Sequence, residues 1–102
     1  MKIKVKFFTL LKLYLGIGEY EVELDNNSIT VNQLLDILEE KIGKKFTFKL
    51  REGGKLKKGV IILVNGKNVI LVNGKNVFHI NGINTIIKDG DVISMFPPGG
   101  GG

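Results

Sequence analysis

Two segments near the N-terminus alternate polar and apolar residues, which is the period-two pattern of a half-buried β-strand. The first, residues 2–8, alternates lysines with Ile3, Val5 and Phe7. The second, residues 19–24, alternates three glutamates with apolar side chains. We expect the two strands to pair as an antiparallel hairpin, because the lysine face of one then meets the glutamate face of the other.

Residues 31–42 carry the pattern of one amphipathic helix of about three turns. Thr30 and Gln33 have the spacing of a capping box, in which each side chain satisfies the other residue's backbone N–H. Gly43 is placed to end this helix in the left-handed conformation. Residues 9–17 show no regular period, and we expect an irregular connection there. The apolar face of the helix is formed by Val31, Leu34, Leu35, Leu38 and Ile42.

The C-terminal half repeats a two-residue turn signal every eight residues, with strand-forming residues on both sides. A last strand over residues 92–96 follows. Strand, strand, helix and then strands is the order of the β-grasp class, an α+β fold in which one main helix packs on one face of a mixed sheet. In that class the first and last strands form a central parallel pair, and both candidates are apolar enough for a buried position. The turn signals are Asn65-Gly66, Asn73-Gly74, Asn81-Gly82 and Asp89-Gly90.

One octet, ILVNGKNV, occurs twice in succession, over residues 62–69 and 70–77. Two perfect copies indicate a recent or engineered tandem duplication and not a repeat architecture. Because eight is an even number, either copy can occupy the hairpin with its apolar side chains on the correct face. The surplus copy then loops out, lengthens the hairpin into an arm, or pairs with a second molecule. We expect intermolecular pairing, and hence a homodimer, because a bulge exposes apolar side chains and an arm leaves its apolar face without a partner.

The composition is that of one globular domain. Of 102 residues, 43% are hydrophobic and 25% are charged, which is enough apolar surface for a single core. We expect this domain to span residues 1–98, with Phe7, Phe78 and Phe96 in the core. The absence of cysteine excludes disulfides and thiolate metal sites, and the single histidine, His79, is expected to be structural. Without a signal sequence or a membrane span, the expected location is the cytoplasm.

The net charge of +5 is concentrated in residues 44–58, where Glu52 is the one acidic residue. This window contains Gly53-Gly54 and a single arginine, the side chain that makes bidentate contacts with guanine and phosphate. We interpret it as a solvated loop. A docking patch for an acidic partner is the first alternative and nucleic-acid binding the second.

The segment after the last strand, residues 96–102, reads FPPGGGG and is the most informative part of the sequence. Pro97 and Pro98 fix φ near about −65° and cannot donate hydrogen bonds to a sheet, so they end the strand and direct the chain away from the body. Residues 99–102 then form a flexible glycine tail, which can enter a narrow channel because it has no Cβ atoms. The α-carboxylate of Gly102 is thereby presented as a substrate.

A carboxylate must be activated before acyl transfer, most simply as a mixed anhydride with AMP formed from ATP. This chain has no glycine-rich phosphate loop and no Ser/His/Asp set, while Glu19, Glu21 and Glu23 lie on an exposed strand face without a base. We therefore expect no catalytic residue here and no bound cofactor. The ATP would be used by a partner enzyme.

Four stretches carry a family resemblance: FFTLL near the N-terminus, the helix opened by Thr30, ILVNGKNV, and DGDVISMFPP before the glycines. Together they resemble the MoaD/ThiS family of β-grasp sulfur carriers and the related small archaeal modifier proteins, and the Pro-Pro pair favours MoaD. The resemblance implies that a ubiquitin-activating-enzyme-like adenylyltransferase adenylates Gly102, which is then converted to a thiocarboxylate. The residues implied to enter the partner's channel are Phe96, Pro97, Pro98, Gly99, Gly100 and Gly101.

The chain departs from the family where Gly99 and Gly100 replace two residues that usually carry side chains, so we expect weaker contacts in the channel. Three functions remain open. The first, which we favour, is sulfur transfer for molybdopterin (molybdenum cofactor) biosynthesis, with the chain as the non-catalytic small subunit beside a MoaE-like large subunit of molybdopterin synthase. The second is a ubiquitin-like modifier conjugated through Gly102 to lysines. The third is an engineered or structural interaction module with an inert tail. We expect neither membrane nor nucleic acid as a partner.

Overall fold

The computed structural model describes residues 1–70 and 82–98, apart from the side chains of Lys45 and Thr47. Strands and helices are numbered in chain order. The strands are β1 Lys2–Phe7, β2 Glu19–Glu23, β3 Ser28–Thr30, β4 Arg51–Glu52, β5 Lys55–Leu56, β6 Ile61–Val64, β7 Lys67–Asn68, β8 Ile86–Lys88 and β9 Val92–Phe96. The helices are α1 Thr9–Leu15, α2 Val31–Ile42 and α3 Lys44–Leu50, and a short 3-10 helix spans Gly82–Asn84.

The main sheet has the strand order β2-β1-β9-β6-β7, so β9 lies between β1 and β6. β1 and β9 are parallel, with Val5 opposite Ile93, whereas β2 is antiparallel to β1 and β6 is antiparallel to β9. The alternation predicted for β1 is observed, since Ile3, Val5 and Phe7 are buried. The predicted β-grasp class and its central parallel pair are confirmed.

β1 and β2 pair in the predicted antiparallel sense, with Lys4 opposite Glu21. The connection between them is α1 and not a tight turn. One ion pair joins Lys2 Nζ to Glu21 Oε1 at 3.5 Å, and both side chains are more than half exposed. Such a pair adds less than about 1 kcal/mol, so the lysine and glutamate faces match without contributing much stability.

Helix α2 begins as predicted. The Gln33 N–H donates to Thr30 Oγ1 at 3.1 Å, and the Thr30 N–H donates to Gln33 Oε1 at 2.8 Å, which completes the capping box. Ile42 is only half-buried at the far end. The prediction for Gly43 is wrong in detail: its φ of 105° and ψ of 176° lie outside the left-handed helical region, although the positive φ still favours glycine. The fully buried face consists of Val31, Leu34, Leu35 and Leu38.

The irregular connection predicted for residues 9–17 is largely a helix, α1. Gly16 ends it in the left-handed conformation, and its N–H donates to the Lys12 carbonyl at 2.9 Å. Within α1 only Leu11 is buried. A helix whose exposed side is as apolar as its buried side shows no contrast between faces, and therefore no period in the sequence.

The solvated loop predicted for residues 44–58 is also wrong. Its first half is α3, which buries Phe46 and Leu50 one turn apart, and its second half contains the hairpin of β4 and β5. Arg51 follows α3, and its guanidinium lies 2.7 Å from the carboxylate of Asp36 on α2. Lys44, Lys55 and Lys58 are exposed, whereas Arg51 links the end of α3 to α2.

The turn signals differ in outcome. Asn65-Gly66 joins β6 to β7 with φ values of 51° and 86°, the two positive angles that a type I′ hairpin requires. Asp89-Gly90 is not a hairpin, because it joins β8, which pairs with β3, to β9 in the main sheet. Gly82 opens the 3-10 helix. Residues 73–74 and 81 lie outside the described residues.

The first copy of the octet, residues 62–69, supplies most of β6, its turn and β7. Of the second copy, residues 70–77, only Ile70 is described. The bulge, the arm and the homodimer predicted for the surplus copy therefore concern residues outside the described part of the chain. The same holds for the predictions on Phe78 and His79.

The core lies between the inner face of the main sheet and the helices. Phe7 of β1 and Phe46 of α3 meet there edge to face, with ring centroids 6.0 Å apart. Phe46 is therefore a core residue that the sequence analysis did not predict, because it lies in the basic window of residues 44–58. Within residues 1–70 and 82–98, none of the helices is both long and apolar enough to cross a membrane.

Candidate functional site

The end of β9 is held on both sides. Phe96 pairs with Ile61 of β6, and Met95 pairs with Phe7 of β1. The Phe8 N–H donates to the Met95 carbonyl at 3.1 Å, which extends the contact one residue beyond β1. The glycine tail therefore starts from a point whose position is fixed by two neighbouring strands.

Phe96 was predicted to lie in the core, and this prediction is wrong. Phe96 is half-buried on the outer face of the sheet, where its ring stacks on Phe8 with centroids 4.7 Å apart and planes 12° from parallel. The core residues of β9 are Ile93 and Met95, on the opposite face. Two aromatic rings side by side at the end of the central strands form an apolar platform at the start of the tail.

The two prolines stay on the body of the protein. Pro97 is buried and Pro98 half-buried. The sequence predicted that the prolines direct the chain away from the body, but the chain stays on the body through Pro98. Both prolines line a groove of about 320 Å³, which three separate segments of the chain form together. We call this groove the tail-root groove; its lining residues are Thr9, Leu10, Gly59, Ile61, Phe96, Pro97 and Pro98.

Large apolar side chains are exposed beside this groove. Leu10 is 54% exposed and Ile61 42%, and both line the groove. Leu13 follows Leu10 by about one turn of α1 and is 76% exposed. Isolated exposed leucines are common, but apolar side chains grouped beside a groove indicate a surface that another protein covers. The tail-root groove thus has the character of a docking site.

Thr9 forms the sharp corner between β1 and α1. Its φ of 54° is in the left-handed region, which a β-branched residue rarely adopts. Holding a residue in such a conformation costs about 1–3 kcal/mol and is most often found at functional sites. Here the corner places Leu10 on the wall of the tail-root groove. Sequence reasoning missed this residue, and a threonine in FFTLL gives no local signal of a positive φ.

A second, polar pocket of about 500 Å³ lies on the other side of Phe8, lined by Lys6, Lys12 and Glu19. Gly18 forms part of its wall, and a Cβ added there would approach Lys12 Cε to 3.1 Å. The Lys12 side chain therefore packs against Gly18, and its flexible end can move by the few tenths of an ångström that a Cβ would require. The start of the tail has an apolar groove on one side and a lysine-lined pocket on the other.

The residues predicted for the site, the channel segment 96–101 and the modified Gly102, divide into two groups. Phe96, Pro97 and Pro98 are brought together at the tail-root groove, whereas Gly99, Gly100, Gly101 and Gly102 lie outside the described residues. In the described part of the chain, no three His, Asp or Glu side chains are grouped to hold a metal ion. The arrangement can hold the starting point of the glycine tail firmly beside a surface suited to another protein.

Comparison with known proteins places this arrangement in a family. The profile of the ThiS family matches residues 5–102, nearly the whole chain. The chain belongs to the ThiS family. A relative from Archaeoglobus fulgidus, described as "Putative sulfur carrier protein", is 32% identical over 92 residues, which cover 90% of this chain and 96% of the relative.

Solved structures agree with the assignment. The "Putative molybdopterin converting factor, subunit 1" of Pyrococcus furiosus is 31% identical, with a TM-score of 0.67 and coverage of 97% of this chain and 99% of that protein. A complex of subunits 1 and 2 of the molybdopterin-converting factor from Helicobacter pylori contains a chain that is 27% identical, with a TM-score of 0.56 and full coverage of both chains.

The family assignment confirms the resemblance to β-grasp sulfur carriers that the sequence motifs indicated. Members of the family are small carrier proteins, substrates of other enzymes and not catalysts, so the expectation of a non-enzyme is confirmed as well.

Proposed function

We propose that this carrier transports sulfur as a thiocarboxylate on the C-terminal carboxyl group of Gly102. The observation that carries the proposal is the geometry at the end of β9, where Phe96 is fixed between two strands and Pro97 and Pro98 lie in the tail-root groove. A firm attachment point followed by four residues without side chains suits a tail that must reach into another protein's active site.

The proposed chemistry has two steps. The Gly102 carboxylate attacks the α-phosphorus of ATP and releases pyrophosphate, which leaves an acyl-adenylate. A hydrosulfide equivalent from a sulfur donor then attacks the acyl carbon and releases AMP, so that a C–S bond replaces the C–O bond to phosphate. Both steps need an adenylyltransferase of the ubiquitin-activating type, because the described residues of the carrier offer no phosphate-binding loop.

We further propose that the sulfur serves molybdopterin synthesis and that a MoaE-like large subunit receives the thiocarboxylate. The likenesses to the Pyrococcus furiosus and Helicobacter pylori proteins, whose descriptions name the molybdopterin-converting factor, support this assignment. The exposed apolar side chains beside the tail-root groove support a role as one subunit of a complex, because an apolar surface at the attachment point of the tail allows docking and tail insertion together.

The test is ATP–pyrophosphate exchange with the activating enzyme of the same organism. We expect exchange with the full chain and none with a variant that lacks Gly101-Gly102, because only the full tail brings a carboxylate to the nucleotide. A tail of equal length in which residues 101–102 are both alanine is the matched control for length, and we expect it to exchange poorly. Exchange with every variant, or with none, would contradict the proposal.

A further inference from the structure

The charge of the described chain is distributed unevenly between the two ends of β9. At the end where the tail starts, Lys6 and Lys12 line the polar pocket. Lys57 and Lys58 lie in a tight turn, closed by the Val60 N–H on the Lys57 carbonyl at 3.2 Å, immediately before Gly59 of the tail-root groove. We call these four side chains the lysine collar. Glu19, opposite Lys6 in the register, is the acidic side chain among them.

The opposite end of the strand is balanced. Its acidic side chains bond to backbone donors or lie beside basic groups: Asp89 accepts from the Lys2 N–H at 2.6 Å, and Asp91 accepts from the Lys88 N–H at 2.8 Å. Within the described residues, the end of β9 where the tail starts therefore carries more net positive charge than the opposite end. The groups at the balanced end are Met1, Lys2, Lys4, Lys67 and Lys88 with Glu21, Glu23, Asp25, Asp89 and Asp91.

The collar lysines differ from the basic residues that stabilise the fold. Arg51 is engaged by Asp36 at 2.7 Å and by Glu39 at 3.8 Å, and Lys2 by Glu21. In the part of the chain that the structure describes, none of the four collar lysines lies within 4.0 Å of a carboxylate. The same is true of Lys67 and Lys88 at the balanced end, so the collar is distinguished by its position around the tail and by having only Glu19 as an acidic neighbour. Uncompensated charges of one sign, grouped around a binding segment, raise the rate at which an oppositely charged partner is encountered.

We propose that the lysine collar steers the carrier onto an acidic rim around the channel of the adenylyltransferase that receives its tail. The inference rests on the proposed function, because it assigns the collar to the same docking event. An acidic protein surface is favoured over nucleic acid, since the collar has no arginine and the neighbouring rings of Phe8 and Phe96 stack on each other instead of standing open to bases.

The first test compares two variants with the same change in net charge. Lys12→Glu/Lys58→Glu reverses two collar charges, and Lys67→Glu/Lys88→Glu reverses two exposed charges at the balanced end. In pyrophosphate exchange at low salt we expect the collar variant to raise the KM for the carrier about tenfold with an unchanged kcat, and the control to change it less than about twofold. The difference should shrink at about 0.5 M salt, where the screening length is only a few ångströms.

Equal effects of both double variants, or no effect of either, would overturn the proposal. A second measurement does not depend on tail chemistry: ¹⁵N-labelled carrier is titrated with octaglutamate, and separately with a thymidine octamer. We expect salt-sensitive shifts from octaglutamate at the backbone amides of Lys12 and Lys58, and none at Lys67 or Lys88. If the full chain supports no exchange, the proposed function fails while this titration still decides on the collar. Tighter binding of the oligonucleotide, or shifts at the balanced end, would overturn the collar's assignment to an acidic protein.

Discussion

The two ends of β9 are stabilised by different forces. At its start, Asn65 closes a hydrogen-bond network: the Val92 N–H donates to Asn65 Oδ1 at 2.8 Å, and Asn65 Nδ2 donates to Asp91 Oδ1 at 2.9 Å. At its end, Phe96 stacks on Phe8 and the prolines pack in the tail-root groove. The start is stabilised by satisfied hydrogen bonds, whereas the end is stabilised by apolar packing and carries exposed apolar side chains beside the lysine collar.

The difference separates a structural task from a binding task. Hydrogen bonds are directional, so the network around Asn65 and Asp91 fixes the register of β9 and leaves little for a partner to bind. Apolar packing is non-directional and scales with the area covered, so the exposed surface beside the tail-root groove gains stability when another protein covers it. One strand thus connects an anchor that maintains the fold to a surface that serves docking.

The largest effect is expected from breaking the docking end. Phe96→Ser removes the stacked platform at the start of the tail, and we expect the KM for the carrier in adenylation to rise about thirtyfold, the loss of about 2 kcal/mol that an aromatic anchor contributes. Phe48→Ser is the matched control, because Phe48 is 62% exposed on α3 and does not line the tail-root groove. If both variants are folded by circular dichroism and have a similar KM, the stacked rings of Phe8 and Phe96 are not part of the docking surface.

The next effect is expected from breaking the structural end. In Asn65→Gly the new glycine tolerates the φ of 51° as asparagine does, but the side-chain hydrogen bonds to Val92 and Asp91 are lost. We expect a loss of about 1–2 kcal/mol in the free energy of unfolding, measured in urea, with adenylation kinetics within about twofold of the parent. Asn27→Gly, in an exposed loop, serves as the control. A large change in KM without a change in stability would reverse the roles that we assign to the two ends.

A smaller effect sharpens the account of the corner at the docking end. Alanine at position 9 keeps a Cβ, so it keeps the conformational free-energy cost of a φ of 54°. Glycine has no Cβ and removes that cost. We expect Thr9→Gly to be about 1 kcal/mol more stable than Thr9→Ala, again by urea unfolding. If the two unfold at the same urea concentration, Thr9 is not strained in solution.

The smallest effect concerns the ion pair of Lys2 and Glu21, which lies toward the structural end and is open to solvent. Lys2→Ala should change the free energy of unfolding by less than about 0.5 kcal/mol, because exposed pairs at 3.5 Å are well screened. The comparison with Asn65→Gly then shows whether hydrogen bonds to the backbone, and not ion pairs, provide the stability of this end. An effect as large as that of Asn65→Gly would contradict this view.

Elements with a strong contrast between faces were predictable from the sequence. β1, β9 and α2 each bury one face, so their periods and the capping box at Thr30 define them within a residue or two. α1 was missed because the feature that suits it to docking, exposed Leu10 and Leu13, removes the contrast that periodicity detects. α3 was missed because its buried pair, Phe46 and Leu50, lies among lysines that dominate the composition of that window.

The candidate site was predictable only in its linear part. Phe96, Pro97 and Pro98 are consecutive, and their character can be read from the sequence. The tail-root groove is formed by α1, the turn at Gly59 and the end of β9, which are distant in sequence and meet only because β9 lies between β1 and β6. The pattern of residues along the chain does not show which distant segments come into contact. The family resemblance predicted these contacts only indirectly, because it predicted the fold.

The central claim is that the end of this carrier's tail holds the sulfur, and the mass of the chain purified from its own organism tests it most directly. We expect the C-terminal peptide that contains Gly102 to be about 16 Da heavier than its free acid, because sulfur replaces one carboxyl oxygen. A variant that lacks Gly101-Gly102, expressed in the same cells, should show no such increase. A C-terminal peptide of unmodified mass, together with lysines of other proteins that carry residues 89–102 after trypsin has cut at Lys88, would contradict the account and assign the tail to protein conjugation.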